Sequence, residues 1–240
     1  MSDWAPKRFW KETRADACDG GFTVFLDGRT VKTPAKADFV LPTLALAEAC
    51  AAEWEAQEET IDPSRMPMTR TANSALDKVA LQKEEVADLL AAYGDTDLTC
   101  YRADRPDELV ARQAEAWDPV LDWLDEAMSA RLAPRTGIIH APQDAAALSR
   151  LRSGVHAFDS FRLAAFHDLV SLSGSLAIGF AVARGRFSPE DAWILSRVDE
   201  TWQEEQWGVD EEAAEHAALK RQAFLDAALF FRLVDQNPAS

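Results

Sequence analysis

Apolar residues alternate with a period of two only up to Leu41; beyond Pro63-Ser-Arg-Met-Pro67 they recur at helical spacing. Strands followed by one helix give a small two-layer α+β unit, and after the two prolines the chain reads as helix. The fold class read from it is α+β. A small N-terminal β-sheet/helix domain is expected over residues 1–66, followed by a mainly α-helical domain over 67–240.

Phe22-Thr-Val-Phe-Leu26 and Arg29-Thr-Val-Lys-Thr33 flank Asp27-Gly28. Such a pair supplies the positive φ angles of a type I′ turn, so the segment predicts a hairpin. Phe22, Val24 and Leu26 share one face, with Val31 opposite Val24. Phe39-Val-Leu41 reads as a third short strand. Thr43 then caps a helix whose Leu44, Ala47, Ala51 and Trp54 fall on one side. Trp54 is the expected structural anchor between helix and sheet.

The helical part contains Ala72–Ala80, Lys83–Ala92 and a long amphipathic run from Pro106 to Arg131, with Leu109, Trp117, Leu121 and Leu124 inward. Asp144–Gly154, His156–Arg184 and Ser188–Trp207 follow. Gly137-Ile-Ile139 reads as a turn or short extended piece. Ser188-Pro-Glu-Asp191 is a strong helix start: a capping serine, proline at the first helical position and acids beside the positive end of the dipole. Gly208 ends that helix and Asp210 caps the last, which runs to about Val234. The Asn237–Ser240 tail is expected to fray.

Charge narrows the function classes. Lys+Arg number 25 and Asp+Glu 41, a net charge of −16. Nucleic acid and anionic membranes demand clustered cations, so neither is an expected partner. Cys18, Cys50 and Cys100 are odd in number and widely spaced, which argues for a reducing compartment over a disulfide framework. The Met-Ser-Asp-Trp start resembles neither a signal nor a transit peptide. Leu169–Val182 is the most apolar stretch, but serines and glycines interrupt it below the ~20 residues a bilayer needs. It reads as a buried helix.

Motifs for small-molecule chemistry are sparse. The chain has neither a G-x-G-x-x-G nor a Walker loop, and Gly20-Gly21 precedes a strand. Ser173-Gly174-Ser175 lies in a helical pattern, where small residues serve packing and no nucleophile elbow forms. Glu212 and His216 share a helix face four apart, half of a metal site or a solvated pair. His167-Asp168 offers an acid/base pair or a histidine at the edge of the core. A small hydrolase or isomerase using one of these pairs is the alternative function. No cofactor and no metal is expected.

In Leu195-Ser-Arg-Val-Asp-Glu200 the apolar stripe is Ile194, Leu195, Val198 and Trp202, with Trp193 opposite. Asp199 falls on the edge of the stripe and Glu200 points away. A carboxylate in that position either pairs with a neighbouring arginine or faces a groove. The chain also holds 8 Trp and 12 Phe, an aromatic surplus most of which core packing explains. Any that face out, Trp202 and Trp207 among the candidates, mark an interaction surface.

Several blocks carry a family resemblance: Lys7-Arg-Phe-Trp-Lys11, Phe25-Leu-Asp-Gly-Arg-Thr-Val-Lys-Thr-Pro34, Glu53-Trp54 and Met66-Pro-Met-Thr-Arg-Thr-Ala-Asn-Ser-Ala-Leu-Asp77. Thr96-Asp-Leu-Thr-Cys-Tyr-Arg102, Trp117-Asp-Pro-Val-Leu-Asp122, Leu195–Glu200 and Gln206-Trp-Gly208 continue in the same order. Together they resemble the assembly chaperones of the F(1)-ATPase α subunit, the mitochondrial F(1) complex assembly factor 2 type and its bacterial homologues. The resemblance implies a non-enzymatic chaperone for ATP synthase assembly, binding the unassembled α subunit until the β subunit replaces it. It implies the same α+β fold and a functional acid at Asp199. Asp199, Glu200, Trp202 and Trp207 are therefore the client-binding candidates. A monomer is expected, in a bacterial cytoplasm, or in the mitochondrial matrix for a processed eukaryotic form. A permanent subunit of a larger assembly is a third reading.

Overall fold

The computed structural model describes residues 7–137 and 139–235; the Met-Ser-Asp-Trp start, Ile138 and the Asn237–Ser240 tail lie outside the described residues. The class is α+β, and the chain divides into two units. The first is built from Met1–Lys83, Ser160–Ala165 and Leu229–Ser240, the second from Glu84–Asp159 and Phe166–Ala228.

In the first unit β1 (Thr13–Cys18), β2 (Gly21–Leu26) and β3 (Arg29–Thr30) form an antiparallel sheet in that order. Asp27 and Gly28 both take positive φ, 48° and 79°, as the hairpin requires. The Asp27 carboxylate locks the turn by accepting the amides of Lys11 and Glu12 at 3.0 and 2.9 Å. Val31 N–H donates to the Val24 carbonyl at 2.9 Å, so the expected pairing of these valines is present. Regular pairing stops at Thr30, short of the expected Thr33. The third strand shrinks to a bridge between Phe22 and Leu41. That bridge needs Gly21, where a Cβ would lie 2.4 Å from the Leu41 carbonyl oxygen. Strand β1 had no signal in the sequence, because Thr-Arg-Ala-Asp-Ala-Cys buries none of its side chains fully.

Helix α1 (Leu44–Glu55) lies against β1 and β2. Its Thr43 cap accepts the Leu46 amide at 3.2 Å and donates to the Leu233 carbonyl at 2.7 Å. The buried face is Leu46, Ala47, Cys50 and Ala51, so the helix is rotated from the expected Leu44–Trp54 stripe. Trp54 is half-buried, and its ring meets the edge of Trp10 at 5.3 Å. Trp10, 3% exposed, is the more enclosed of the two. Beside it Arg8 donates to the free carbonyls of Glu55 and Gln57 at 2.7 and 2.5 Å, a cation at the negative end of α1.

Helix α2 (Pro67–Asp77) lacks a capping side chain of its own. Glu53 of α1 supplies one, accepting the Met68 and Thr69 amides at 2.6 and 2.8 Å. Asp77 accepts the Ala35 amide at 3.0 Å. Glu53 and Asp77, both in the recognised motifs, thus hold the first unit together.

The second unit is helical: most of α3 (Lys83–Ala91), α4 (Asp107–Met128), α5 (Ala145–His156), most of α6 (Ser160–Ser173), α7 (Leu176–Ala183), α8 (Pro189–Leu195), α9 (Val198–Trp207) and most of α10 (Glu211–Asp235). A two-residue parallel pair joins β4 (Tyr101–Arg102) to β5 (Arg135–Thr136). Helix α4 packs on α7 and α9. Of its expected inward residues Trp117, Leu121 and Leu124 are buried, whereas Leu109 is only part-buried. Trp117 Nε1–H satisfies its buried donor on the Leu195 carbonyl at 2.7 Å.

Two expected long helices are broken. His156–Arg184 separates into α5, α6 and α7, and the second break falls at Gly174, φ 69°. There Ser175 starts α7 by accepting the Ile178 amide at 3.0 Å. Asp97, fully buried, fixes the corner. It accepts from Ser175 Oγ at 2.7 Å, Ala177 N at 2.9 Å, Thr99 Oγ1 at 2.7 Å and Thr99 N at 3.0 Å. Burial pushes its carboxyl above the usual range, against these four donors. Ser173-Gly174-Ser175 is therefore a stop and restart.

Ser188–Trp207 breaks at Ser196-Arg197, where the Ser196 hydroxyl donates to the Trp193 carbonyl at 2.7 Å. The break exchanges two positions of the expected pattern, while Val198 is buried as expected. Trp193 is buried, with the Phe224 ring 5.7 Å away, and Ile194 is 66% exposed.

Candidate functional site

Helices α4 and α9 and the segment Tyr101–Pro106 line an open groove of about 590 Å³, wholly within the second unit. Apolar surface comes from Pro106, Leu109, Trp202 and Trp207; polar groups come from Tyr101, Arg102, Gln113 and Asp199. Trp207 is 79% exposed at the end of α9, and Val209 is 65% exposed just past Gly208. An indole this bare costs hydration free energy unless a partner covers it.

Asp199 lies in the first turn of α9, where a carboxylate suits the positive end of the dipole. Its Oδ1 accepts Gln113 Nε2 at 2.6 Å. Gln113 is itself buried, and its Oε1 accepts the Ala103 amide at 2.8 Å. The glutamine cannot turn without breaking both bonds, so it holds Asp199 in place and leaves Oδ2 without a hydrogen bond among the described residues.

Of the two expectations for Asp199, the arginine partner is absent among the described residues. Nearby cations are taken: Arg102 by Asp118 at 2.9 Å, Arg112 by Glu205 at 2.8 Å, and Arg197 by Glu200 at 2.9 Å and Glu204 at 3.6 Å. The Arg112 hydrogen bond holds the Glu205 carboxyl below its ordinary range. Half-exposed pairs like these contribute about 0–1 kcal/mol each, so their larger effect is to occupy the cations. Arg112 also lies over the Trp202 ring, 5.0 Å from its centroid, and stiffens that wall.

The structure brings Asp199, Trp202 and Trp207 to one groove and leaves Glu200 outside its lining, paired with Arg197. Tyr101, Arg102, Leu109 and Gln113 also line it, though sequence reasoning gave them no part in a site. Tyr101 and Arg102 sat within a recognised block, and Gln113 carried no local signal at all.

The pairs of the alternative function lie elsewhere. His167 Nδ1 and Asp168 Oδ1 are 2.9 Å apart, but both side chains are nearly half exposed and neither lines the groove. Glu212 and His216 are exposed on α10. Among the described residues no group of three His, Cys, Asp or Glu side chains could hold a metal, and no helix is long and apolar enough to cross a membrane. The thiols of Cys50 and Cys100 are buried, which pushes that of Cys100 up to about 12 and keeps both protonated.

Residues 7–125 match the model of the ATP12 chaperone protein family. The crystal structure of Atp12 from Paracoccus denitrificans is 49% identical and superposes with a TM-score of 0.93 over 95% of this chain and 98% of that one. The chain belongs to the ATP12 chaperone family. The Atu1473 protein of Agrobacterium tumefaciens is 41% identical, with a TM-score of 0.89 over 94% of this chain and 85% of that one. Protein atp12, mitochondrial, of Schizosaccharomyces pombe is 28% identical over 221 residues, 87% of this chain and 76% of that protein. Membership makes this protein a chaperone of ATP synthase assembly. The groove on α9 is then the surface to weigh as the place where a client sits.

Proposed function

We propose that the protein binds the unassembled F(1)-ATPase α subunit at the groove around Asp199 and shields it until the β subunit takes its place. The observation that carries this reading is the meeting of an immobilised carboxylate with two indoles in an open, largely apolar groove. A subunit without its partners exposes apolar interface, and such surface aggregates. A chaperone that covers it lowers the concentration of the sticky species, and the net charge of −16 keeps the complex soluble. The role is binding, not catalysis: the two acid/histidine pairs are solvated and away from the groove. The protein acts as a monomer, and its free thiols suit a reducing compartment such as a bacterial cytoplasm.

Pull-down of purified α subunit by wild type and Asp199→Lys tests this. The account expects a large loss of recovery in a protein that still folds: Asp199 is half-exposed and the inserted ammonium can reach water, while the buried Gln113 amide loses its acceptor and stability falls by about 1–3 kcal/mol. Equal recovery would remove Asp199 from the client site.

A further inference from the structure

We propose that the groove takes a cationic side chain, arginine or lysine, projecting from an apolar segment of the client, with Asp199 as its counter-ion. This rests on the reading of the groove as the client site and names the chemistry that the client must present there.

Four observations converge on it. Gln113 fixes Asp199 through Oδ1 alone, so the carboxylate keeps an unfilled acceptor on a rigid mount. Arg102, Arg112 and Arg197 are committed to Asp118, Glu205, Glu200 and Glu204, and Arg105 lies 3.8 Å from Asp104. None of them is paired with Asp199. Trp202, Trp207 and Leu109 line the same groove, and their apolar surface suits the aliphatic stem of a long cationic side chain. Finally, a chain of net charge −16 attracts a cationic segment at long range and repels an anionic one.

An apolar segment without a cation would fill the groove less well. It would bury the Asp199 carboxylate against hydrocarbon and leave it half-satisfied, which costs more than the added contact returns. Arginine fits better than lysine. Its planar fork can take Oδ2 and still stack on an indole, as Arg112 already lies over Trp202.

The test is direct binding of purified F(1)-ATPase α subunit to four proteins: wild type, Trp202→Ala, Trp207→Ala and Asp199→Asn. Asparagine keeps an acceptor for Gln113 and removes only the charge. Thermal unfolding and circular dichroism confirm that each variant is folded. The proposal expects Asp199→Asn to weaken binding about 10- to 100-fold, as loss of a charge-assisted hydrogen bond does. It also expects wild-type binding to weaken as sodium chloride is raised about tenfold, and the variant, which keeps the long-range attraction of the remaining acids, to weaken less steeply. If the tryptophan variants weaken binding and Asp199→Asn does not, the cation is refuted while the groove remains the client site. If none of the three matters, the groove itself is refuted, and the proposal with it.

Discussion

Gln113 and Asp199 lie 86 positions apart in sequence and meet at 2.6 Å, the buried amide of α4 gripping the carboxylate at the start of α9. The bond does two things. It ties together the two helices that wall the groove, and it fixes one oxygen of the acid while leaving the other open. Asp199 is therefore poised by a residue that never needs to touch a client.

Gln113→Ala should damage both stability and binding. The substitution strands the Ala103 amide and frees Asp199, for a cost of about 1–3 kcal/mol. Urea unfolding should show that drop, and α-subunit recovery should fall in the surviving folded protein. Unchanged stability would mean the amide is not a strut.

Trp207→Ala should separate the two properties. An indole that is 79% exposed contributes little to the fold, so unfolding free energy should stay within about 0.5 kcal/mol. Recovery of α subunit should fall several-fold, the behaviour of an aromatic anchor in an interface. A loss of stability with normal recovery would reverse the assignment.

Asp97→Ala should be among the most destabilising single changes in the second unit. Four donors converge on that fully buried carboxylate, two of them hydroxyls and two backbone amides at the start of short helical elements. Leaving them unmet should cost about 3–5 kcal/mol in urea unfolding, a large share of a typical domain's stability. A cost below about 1 kcal/mol would show that the corner re-forms without its anchor.

Stability should carry a small pH dependence from His167. The hydrogen bond from its ring to Asp168 raises the histidine's folded pKa above its ordinary value. Its contribution is thus complete below the unfolded value near 6.5 and is lost as pH rises through the folded value. Comparing wild type with Asp168→Asn across pH 6 to 8, roughly the window in which a histidine titrates, isolates this term. Wild type should lose its margin over the variant as pH rises; a constant difference would exclude the pair.

What could be read from the residues was local chemistry. Asp27-Gly28 announced the hairpin because positive φ at both turn residues has few alternatives, and Ser188-Pro-Glu-Asp191 announced α8 because its cap lies within one turn. Trp202 and Trp207 were visible as surplus aromatics. Helix breaks were not visible, because Ser173-Gly174-Ser175 and Ser196-Arg197 can each be accommodated as small or polar positions within one continuous helical pattern. At the first of these corners the deciding partner, Asp97, lies 78 positions from Ser175. Reading α8 and α9 as one helix put Trp193 outside and Ile194 inside, the reverse of what the bend allows. Gln113 stayed hidden for the same reason as Asp97: its worth comes from residues distant in sequence.

Hydrogen exchange read by mass spectrometry on the free protein and on its complex with the α subunit tests the central claim most directly. The account predicts slowed exchange in Tyr101–Gln113 and Val198–Gly208, the backbone that lines the groove, with little change in the Thr13–Leu26 sheet. Protection confined to the sheet, with the groove segments exchanging as in the free protein, would contradict it.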